Sequence, residues 1–274
     1  MTNCIFCGQT HLSQVMWEGK GVECSQCHSV LVKEIPSSQE LEQFYSTYNN
    51  SYNGSGGNLD RYAKTYFSLV KKYKSSGCLL DIGSSNSPFP NYAAESGFQV
   101  TVTDYSKPTD LSHDVKFIQG NLGEYLPEKL GFNQFEIVCA WAVIEHVPDP
   151  HLAIKNMVDL VQPGGYIFLT TPEIGTVLTN YSIGKSQWFY PPEHIFLISP
   201  IAVSKLFEKY KCEQLVQSRI EINTIRYMAR CCIGIVEFLM GLPVKILLPK
   251  LWHSLRARRY QQYAGISLFV FRKL

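Results

Sequence analysis

The segment from Cys78 to Asp104 limits the fold more than any other stretch of this chain. An apolar run, Cys78-Leu79-Leu80-Asp81-Ile82, leads into Gly83, a helical pattern follows to about Ser96 and stops at Gly97, and a second apolar run from Gln99 to Thr103 ends on Asp104. A strand, a crossover helix and a second strand make one βαβ unit, because parallel strands cannot be joined by a tight turn. The alternation continues with strand patterns at Val115 to Ile118, Phe135 to Ala140 and Gly165 to Thr170, and a helix over Pro150 to Val161 precedes the last of these. A helix after Pro200, a strand near Gln214 to Ile222 and a final strand over Ile266 to Arg272 close the pattern. Alternation of this kind implies a parallel sheet covered on both faces, so the expected fold class is α/β, doubly wound.

With 274 residues, 45% hydrophobic and 18% charged, the chain has room for one such domain and a small appendage, and its charge content argues against disorder. The appendage is legible at the N-terminus. Cys4, Cys7, Cys24 and Cys27 form two C-x2-C pairs separated by sixteen residues. Two such turns can present four thiolates to one tetrahedral zinc ion, and the metal replaces the core that so short a segment lacks. His11 and His28 lie nearby, but four cysteines already complete the shell. The five other cysteines, Cys78, Cys139, Cys212, Cys231 and Cys232, are scattered and suggest no disulfide framework. Met1 to Cys7 does not read as a secretory signal, so a reduced, cytoplasmic setting is expected. The net charge of +2 gives no global field to recruit nucleic acid. The most apolar stretch, Cys231 to Leu248, is interrupted by Glu237, Pro243 and Lys245, which argues against a spanning helix.

The expected organisation is a zinc ribbon over 1–35, a helical linker over 36–76, and the α/β domain over 77–274 with a helical insertion at about 223–263. In the linker, Ser37 and Glu40 have the spacing of a capping box for a helix to about Tyr48. The Gly/Ser/Asn-rich run Asn49 to Asn58 reads as a mobile loop, and Asp60 to Lys74 as a further helix.

Ligands of doubly wound sheets bind outside the carboxyl ends of the strands, where the strand order reverses. Asp81 and Gly83 fall there: the glycine admits a close backbone approach, and the carboxylate suits the cationic amino group of a methionine moiety. Asp104, at the end of the second strand, suits the vicinal hydroxyls of a ribose. A nicotinamide site calls for G-x-G-x-x-G, but the turn reads Gly83-Ser84-Ser85-Asn86-Ser87-Pro88, so a nucleotide without phosphates is expected.

Four segments in order, LLDIGSSNSPF, VTDYS, AWAVIEHVPDP and LVQPGGYIFLTTPE, resemble class I S-adenosylmethionine-dependent methyltransferases of the type-11 or type-23 branch. The resemblance spans about residues 77 to 222. It implies a Rossmann-like sheet with an antiparallel hairpin at its end, and S-adenosylmethionine as cofactor. Asp81, Gly83, Ser84 and Ser85 then belong to the first motif, Asp104 and Tyr105 to the ribose site, Asn121 and Leu122 flank the adenine, and Ala140 lies beneath the methionine portion. One departure is visible, since Ser85 and Ser87 replace later glycines of the family's D-x-G-x-G-x-G.

Methyl transfer is an in-line displacement in which the protein aligns the acceptor and, for a hydroxyl, removes its proton. His194, in YPPEHIFLISP, resembles a residue of the family's active-site loop, and His146 is the second candidate for the catalytic base. The structural alternatives are packing of His194 on Trp188, Phe189 and Tyr190, and an orienting or capping role for His146. Glu145 and His146 also resemble part of an E-x-x-E-H metal site, but Ala142 stands at its first glutamate, so no catalytic divalent ion is expected. The acceptor expected is a small molecule or glycan, with O-methylation preferred. The alternatives are RNA, for which LRARR is the only dense basic cluster, and a catalytically inactive interaction protein. The 223–263 insertion combines apolar residues such as Ile233, Phe238, Leu247 and Trp252 with Arg256, Arg258 and Arg259. It is expected to cap the acceptor pocket and touch a membrane or lipid-linked glycan, with a packed lid or dimer interface as the alternative.

Overall fold

The computed structural model describes residues 3–10, 12–16, 21–48, 56–172, 174, 194–220 and 266–274. The 223–263 insertion, Trp188, Phe189, Tyr190, His11 and most of the Asn49 to Asn58 run lie outside the described residues.

Strands β1 (Leu12–Met16), β2 (Gly21–Cys24) and β3 (Val30–Val32) are followed by helices α1 (Ser38–Tyr48) and α2 (Gly56–Val70). Then come β4 (Gly77–Ile82), α3 (Phe89–Glu95), β5 (Phe98–Asp104), β6 (Lys116–Gln119), α4 (Pro127–Leu130) and β7 (Phe135–Trp141). The chain continues through α5 (Pro150–Leu160), β8 (Val161–Pro172), β9 (Phe196–Leu197), α6 (Pro200–Glu208), β10 (Cys212–Ile220) and β11 (Ile266–Lys273). Seven strands form one sheet in the order β10-β11-β8-β7-β4-β5-β6. β4 pairs in parallel with both β5 and β7, while β11 is antiparallel to β8 and β10. The expected Rossmann-like sheet with its antiparallel end is therefore present. β4 is the strand at which the order reverses, so its carboxyl end opens onto the ligand crevice of such folds.

Alternate residues of β4 serve opposite faces. Leu80 and Ile82 join the core containing α5 and α6, while Leu79 joins the core under α2 and α3. α1 begins as its sequence predicts: Ser37 N–H donates to Glu40 Oε2 at 2.8 Å and Glu40 N–H to Ser37 Oγ at 3.3 Å, the reciprocal bonds of a capping box. The helix after β4 begins at Phe89, directly after the Gly83 to Pro88 turn, and ends at Glu95, within a residue of the expected stop. Gly83 and Ser85 adopt left-handed backbone angles of 69° and 48°, and Pro88 and Pro90 fix the entry to α3.

The other sheet, β1-β2-β3-β9, takes three strands from the cysteine-bearing N-terminus and its last from residues 196–197. Leu31 faces Phe196 across this ladder and Val30 faces Leu197. Cys4, Phe6, Cys24, Cys27, Val30 and Leu31 are buried in the same core as Ile154, Ile195 and Phe196, so the cysteine-bearing segment and the elements around the seven-stranded sheet share apolar packing. Among the described residues no helix is long and apolar enough to cross a membrane.

Candidate active site

The carboxyl edge of the parallel strands carries the residues assigned to the cofactor from sequence. Asp81 is completely buried on β4, between Val102 of β5 and Cys139 of β7. Neither of its carboxylate oxygens has a hydrogen-bond partner among the described residues, nor does the hydroxyl of Ser84, which is itself buried. Burial pushes the Asp81 carboxyl well above the ordinary carboxylate range, and the nearby Ser84 hydroxyl only partly opposes this. An ionisable group buried without a partner is unfavourable, and its usual explanation is a missing ligand or ion. A cationic amino group fits this carboxylate. Trp141, whose indole N–H is likewise unpaired among the described residues, lies two positions beyond Cys139 on the same face of the sheet. Tyr66 of α2 stacks on it with ring centroids 4.1 Å apart.

The turn after β4 is tied to the end of β5. Gly83 N–H donates to Thr103 O at 2.8 Å, Ser85 N–H to Asp104 Oδ2 at 2.7 Å, and Tyr105 N–H to Asp104 Oδ1 at 2.6 Å. Burial raises the Asp104 carboxyl, and these amide donors oppose the shift. A Cβ on Gly83 would stand 2.7 Å from Val143, so space and the left-handed backbone both require glycine there. Ser85 holds a left-handed conformation where the family has a second glycine, which costs about 1–2 kcal/mol for an L-residue. Ser85→Gly should therefore raise stability by about 1 kcal/mol without weakening cofactor binding, as measured by denaturant unfolding and calorimetry.

The adenine candidates sit beside this turn. Gly120 N–H donates to Asp104 O at 3.0 Å, which carries Asn121 to the end of β5. The side chain of Asn121 accepts from Gly123 N–H at 2.7 Å, Leu122 is buried in the core, and Ala140 is buried beside Ile82. Tyr105 stacks on Tyr45 of α1, with centroids 5.3 Å apart and planes 18° from parallel.

The two histidines, far apart in sequence, meet in space. His146 lies in a single 3-10 turn after β7, Ile144–His146, and His194 directly precedes the segment leading to β9. Their rings are edge to face with centroids 4.6 Å apart, and His194 is buried. Tyr45 Oη lies 2.9 Å from His146 Nδ1. Ile195 N–H donates to Glu145 O at 3.0 Å, joining the two segments through the backbone. Glu145, His146 and His194 each place a ligand-type atom within 4.8 Å of the others. The third member of this group thus comes from His194 and not from position 142, where Ala142 takes a left-handed φ of 55° and donates its N–H to Thr170 Oγ1 at 2.9 Å.

Cys4, Cys7, Cys24 and Cys27 converge, with all four sulfurs within 4.8 Å of one another. Cys4 and Cys27 Sγ are 3.6 Å apart, as are Cys7 and Cys24 Sγ. A tetrahedral zinc ion with bonds of about 2.3 Å sets sulfur–sulfur edges of about 3.8 Å, so the donor set fits that metal. The two turns repeat one geometry. Gly8 N–H donates to Cys4 O and His28 N–H to Cys24 O, both at 2.8 Å, and Gly8 and His28 share a left-handed backbone at 75° and 58°. Hydrogen bonding with Cys4 pushes Cys27 down to about 5, while the same contact and burial push Cys4 up, so the crowded thiols do not ionise independently. His28 points away to Glu23, at 3.3 Å, and does not belong to the cluster.

A family model described as a methyltransferase domain, of type 23, matches residues 58–217, more than half of the chain. The chain belongs to this methyltransferase family. Among curated relatives, the ubiquinone biosynthesis O-methyltransferases of Shewanella pealeana and Vibrio parahaemolyticus are each 28% identical over 102 residues. That match takes in 34% of this chain and 42% and 43% of the relatives' lengths respectively. Solved structures with the same fold include the [4+2]-cyclase SpnF, with TM-score 0.60 and 18% identity over 87% of this chain and 97% of that one. Another is the Burkholderia thailandensis 1,6-didemethyltoxoflavin-N1-methyltransferase with bound 1,6-didemethyltoxoflavin and S-adenosylhomocysteine, with TM-score 0.56 and 12% identity over 91% and 96% of the two chains.

Within this methyltransferase frame two site features escaped the sequence reading. Tyr45 sits on a helix read only as linker, where an aromatic residue signals nothing specific. The dipeptide Phe196–Leu197 is too short for strand periodicity, and its partner β3 is distant in the chain.

Proposed function

We propose that the chain transfers the methyl group of S-adenosylmethionine to a hydroxyl of a small-molecule or glycan acceptor. The observation that carries this reading is the buried Asp81 carboxylate without a partner among the described residues, at the crevice of a methyltransferase sheet. Asp81 would hold the amino group of the methionine portion, and Asp104 the ribose hydroxyls, with the Gly83 to Ser85 turn passing beneath. The bound cofactor supplies an electrophilic sulfonium methyl. His194 takes the acceptor's proton as its oxygen attacks, and His146 supports that ring from its edge. Tyr45, bonded to His146 Nδ1, fixes the orientation of the second imidazole. The likeness of part of the chain to ubiquinone biosynthesis O-methyltransferases supports oxygen as the acceptor atom.

Calorimetry with S-adenosylmethionine and with NADH tests the cofactor, and labelled methyl transfer into a panel of metabolite and glycan extracts tests the reaction. Tight binding of NADH, or no binding of S-adenosylmethionine, would overturn the reading. Label appearing only in RNA would move the acceptor class.

The same proposal assigns one structural zinc ion to Cys4, Cys7, Cys24 and Cys27, a closed set of four thiolates with no open position for chemistry. Elemental analysis of protein purified without chelator should give one zinc per chain. A metal-free protein that folds normally would remove this assignment.

A further inference from the structure

We infer that the ribbon positions the His194 segment, so that metal occupancy at the four cysteines governs turnover while leaving cofactor affinity nearly unchanged. This rests on the proposed use of His194 as base. The strand that follows His194 is two residues long, and its ladder partner is β3 of the ribbon. Ile195 is held from both sides: its N–H donates to Glu145 O at 3.0 Å, and its carbonyl accepts from Val32 N–H at 3.1 Å. One residue links the second cysteine turn to this segment. Ser29 O accepts from Cys24 N–H at 2.9 Å, and Ser29 Oγ accepts from Ser199 N–H at 3.0 Å. Ser199 in turn caps α6 by accepting from Ala202 N–H at 3.2 Å. Phe6, between the first two cysteines, meets Phe196 edge to face at 5.4 Å, and Ile5 O lies 2.6 Å from His151 Nε2 on α5.

These contacts differ in kind from those at the cofactor residues. Asp81, Gly83 and Asp104 belong to β4, β5 and the turn between them, which the seven-stranded ladder orders by itself. His194 precedes a strand whose ladder lies in the ribbon. A ribbon of three short strands gains its order from its metal, so loss of the ion loosens β3 and with it the residues that aim His194. Ser29 and Val32 are thus positioning residues, acting through Ser199 and Ile195.

The test uses the full chain, loaded with zinc and then dialysed against a chelator. Amide exchange over residues 194–199 should quicken by about tenfold or more, the scale set by losing a buried hydrogen bond. Turnover should fall by at least about tenfold while the dissociation constant for S-adenosylmethionine stays within about threefold, and added zinc should restore both exchange and turnover. Zinc-loaded Ser29→Ala, which lacks both Oγ bonds to Ser199, and Val32→Pro, which lacks the bond to Ile195 O, should show the same pattern with the metal in place. They decide the matter if chelation unfolds the chain. Wild-type exchange over 194–199 in the loaded variants overturns the inference, as does faster exchange with wild-type turnover. Absence of methyl transfer in the loaded wild type defeats the proposed reaction instead, and the exchange comparison still decides whether the ribbon holds the segment.

Discussion

His194→Ala is expected to lower turnover by about 10²- to 10⁴-fold, the usual contribution of a positioned general base, with cofactor affinity little changed. The asymmetry follows from placement. His194 stands against His146 on the segment before β9, whereas the residues assigned to the cofactor lie on β4, β5 and their turns. Tyr45→Phe should give a smaller loss, because it removes one hydrogen bond to His146 and keeps the ring that stacks on Tyr105. Single-turnover methyl transfer separates the chemical step from binding, and calorimetry gives the affinity. Near-normal turnover in His194→Ala would make the histidine a packing residue, or mean that the acceptor needs no base. A combined loss of affinity and turnover would point to a collapsed site.

Much of the fold was legible because a buried parallel sheet writes itself into sequence as short apolar runs separated by helical patterns. β5, β7 and α5 lie within a residue of where their patterns placed them. The cysteine cluster was legible for a different reason, since two tight C-x2-C turns have few other uses. What the sequence concealed depends on contacts across long separations. The meeting of His146 with His194 requires the route of the chain through two sheets, and the shared core of Phe6 and Phe196 requires the docking of one on the other. α3 starts directly after the Gly83 to Pro88 turn, but the left-handed backbone of Ser85 inside that turn has no signature in the residue pattern. At Ser85 the family has a glycine, the residue that takes a left-handed backbone without cost. The structure shows a serine adopting that backbone, with its N–H bonded to Asp104.

Asp104→Ala should weaken S-adenosylmethionine binding by about 2–4 kcal/mol, roughly 30- to 1,000-fold, through the loss of two charge-assisted hydrogen bonds to the ribose. Asp104→Asn is expected to be nearly as harmful. Both carboxylate oxygens already accept backbone N–H groups, from Ser85 and Tyr105, so an amide must set its own donor against one of them. Asp81 adds a pH dependence whose sign is fixed by burial. Its carboxyl is raised well above the ordinary range, so the folded, ligand-free protein retains a proton that the unfolded chain has released. Its contribution to stability is therefore full below the unfolded pKa and is lost as pH rises through the folded one. A cationic amino group beside the carboxylate favours the ionised form, so cofactor binding expels that proton and tightens as pH rises, until the free protein has itself ionised. Calorimetry in buffers of differing ionisation enthalpy reads the expelled proton directly, and Asp81→Asn should abolish it along with the pH dependence. A binding heat that is the same in every buffer would show that no proton leaves Asp81 on binding, and would remove this pH linkage.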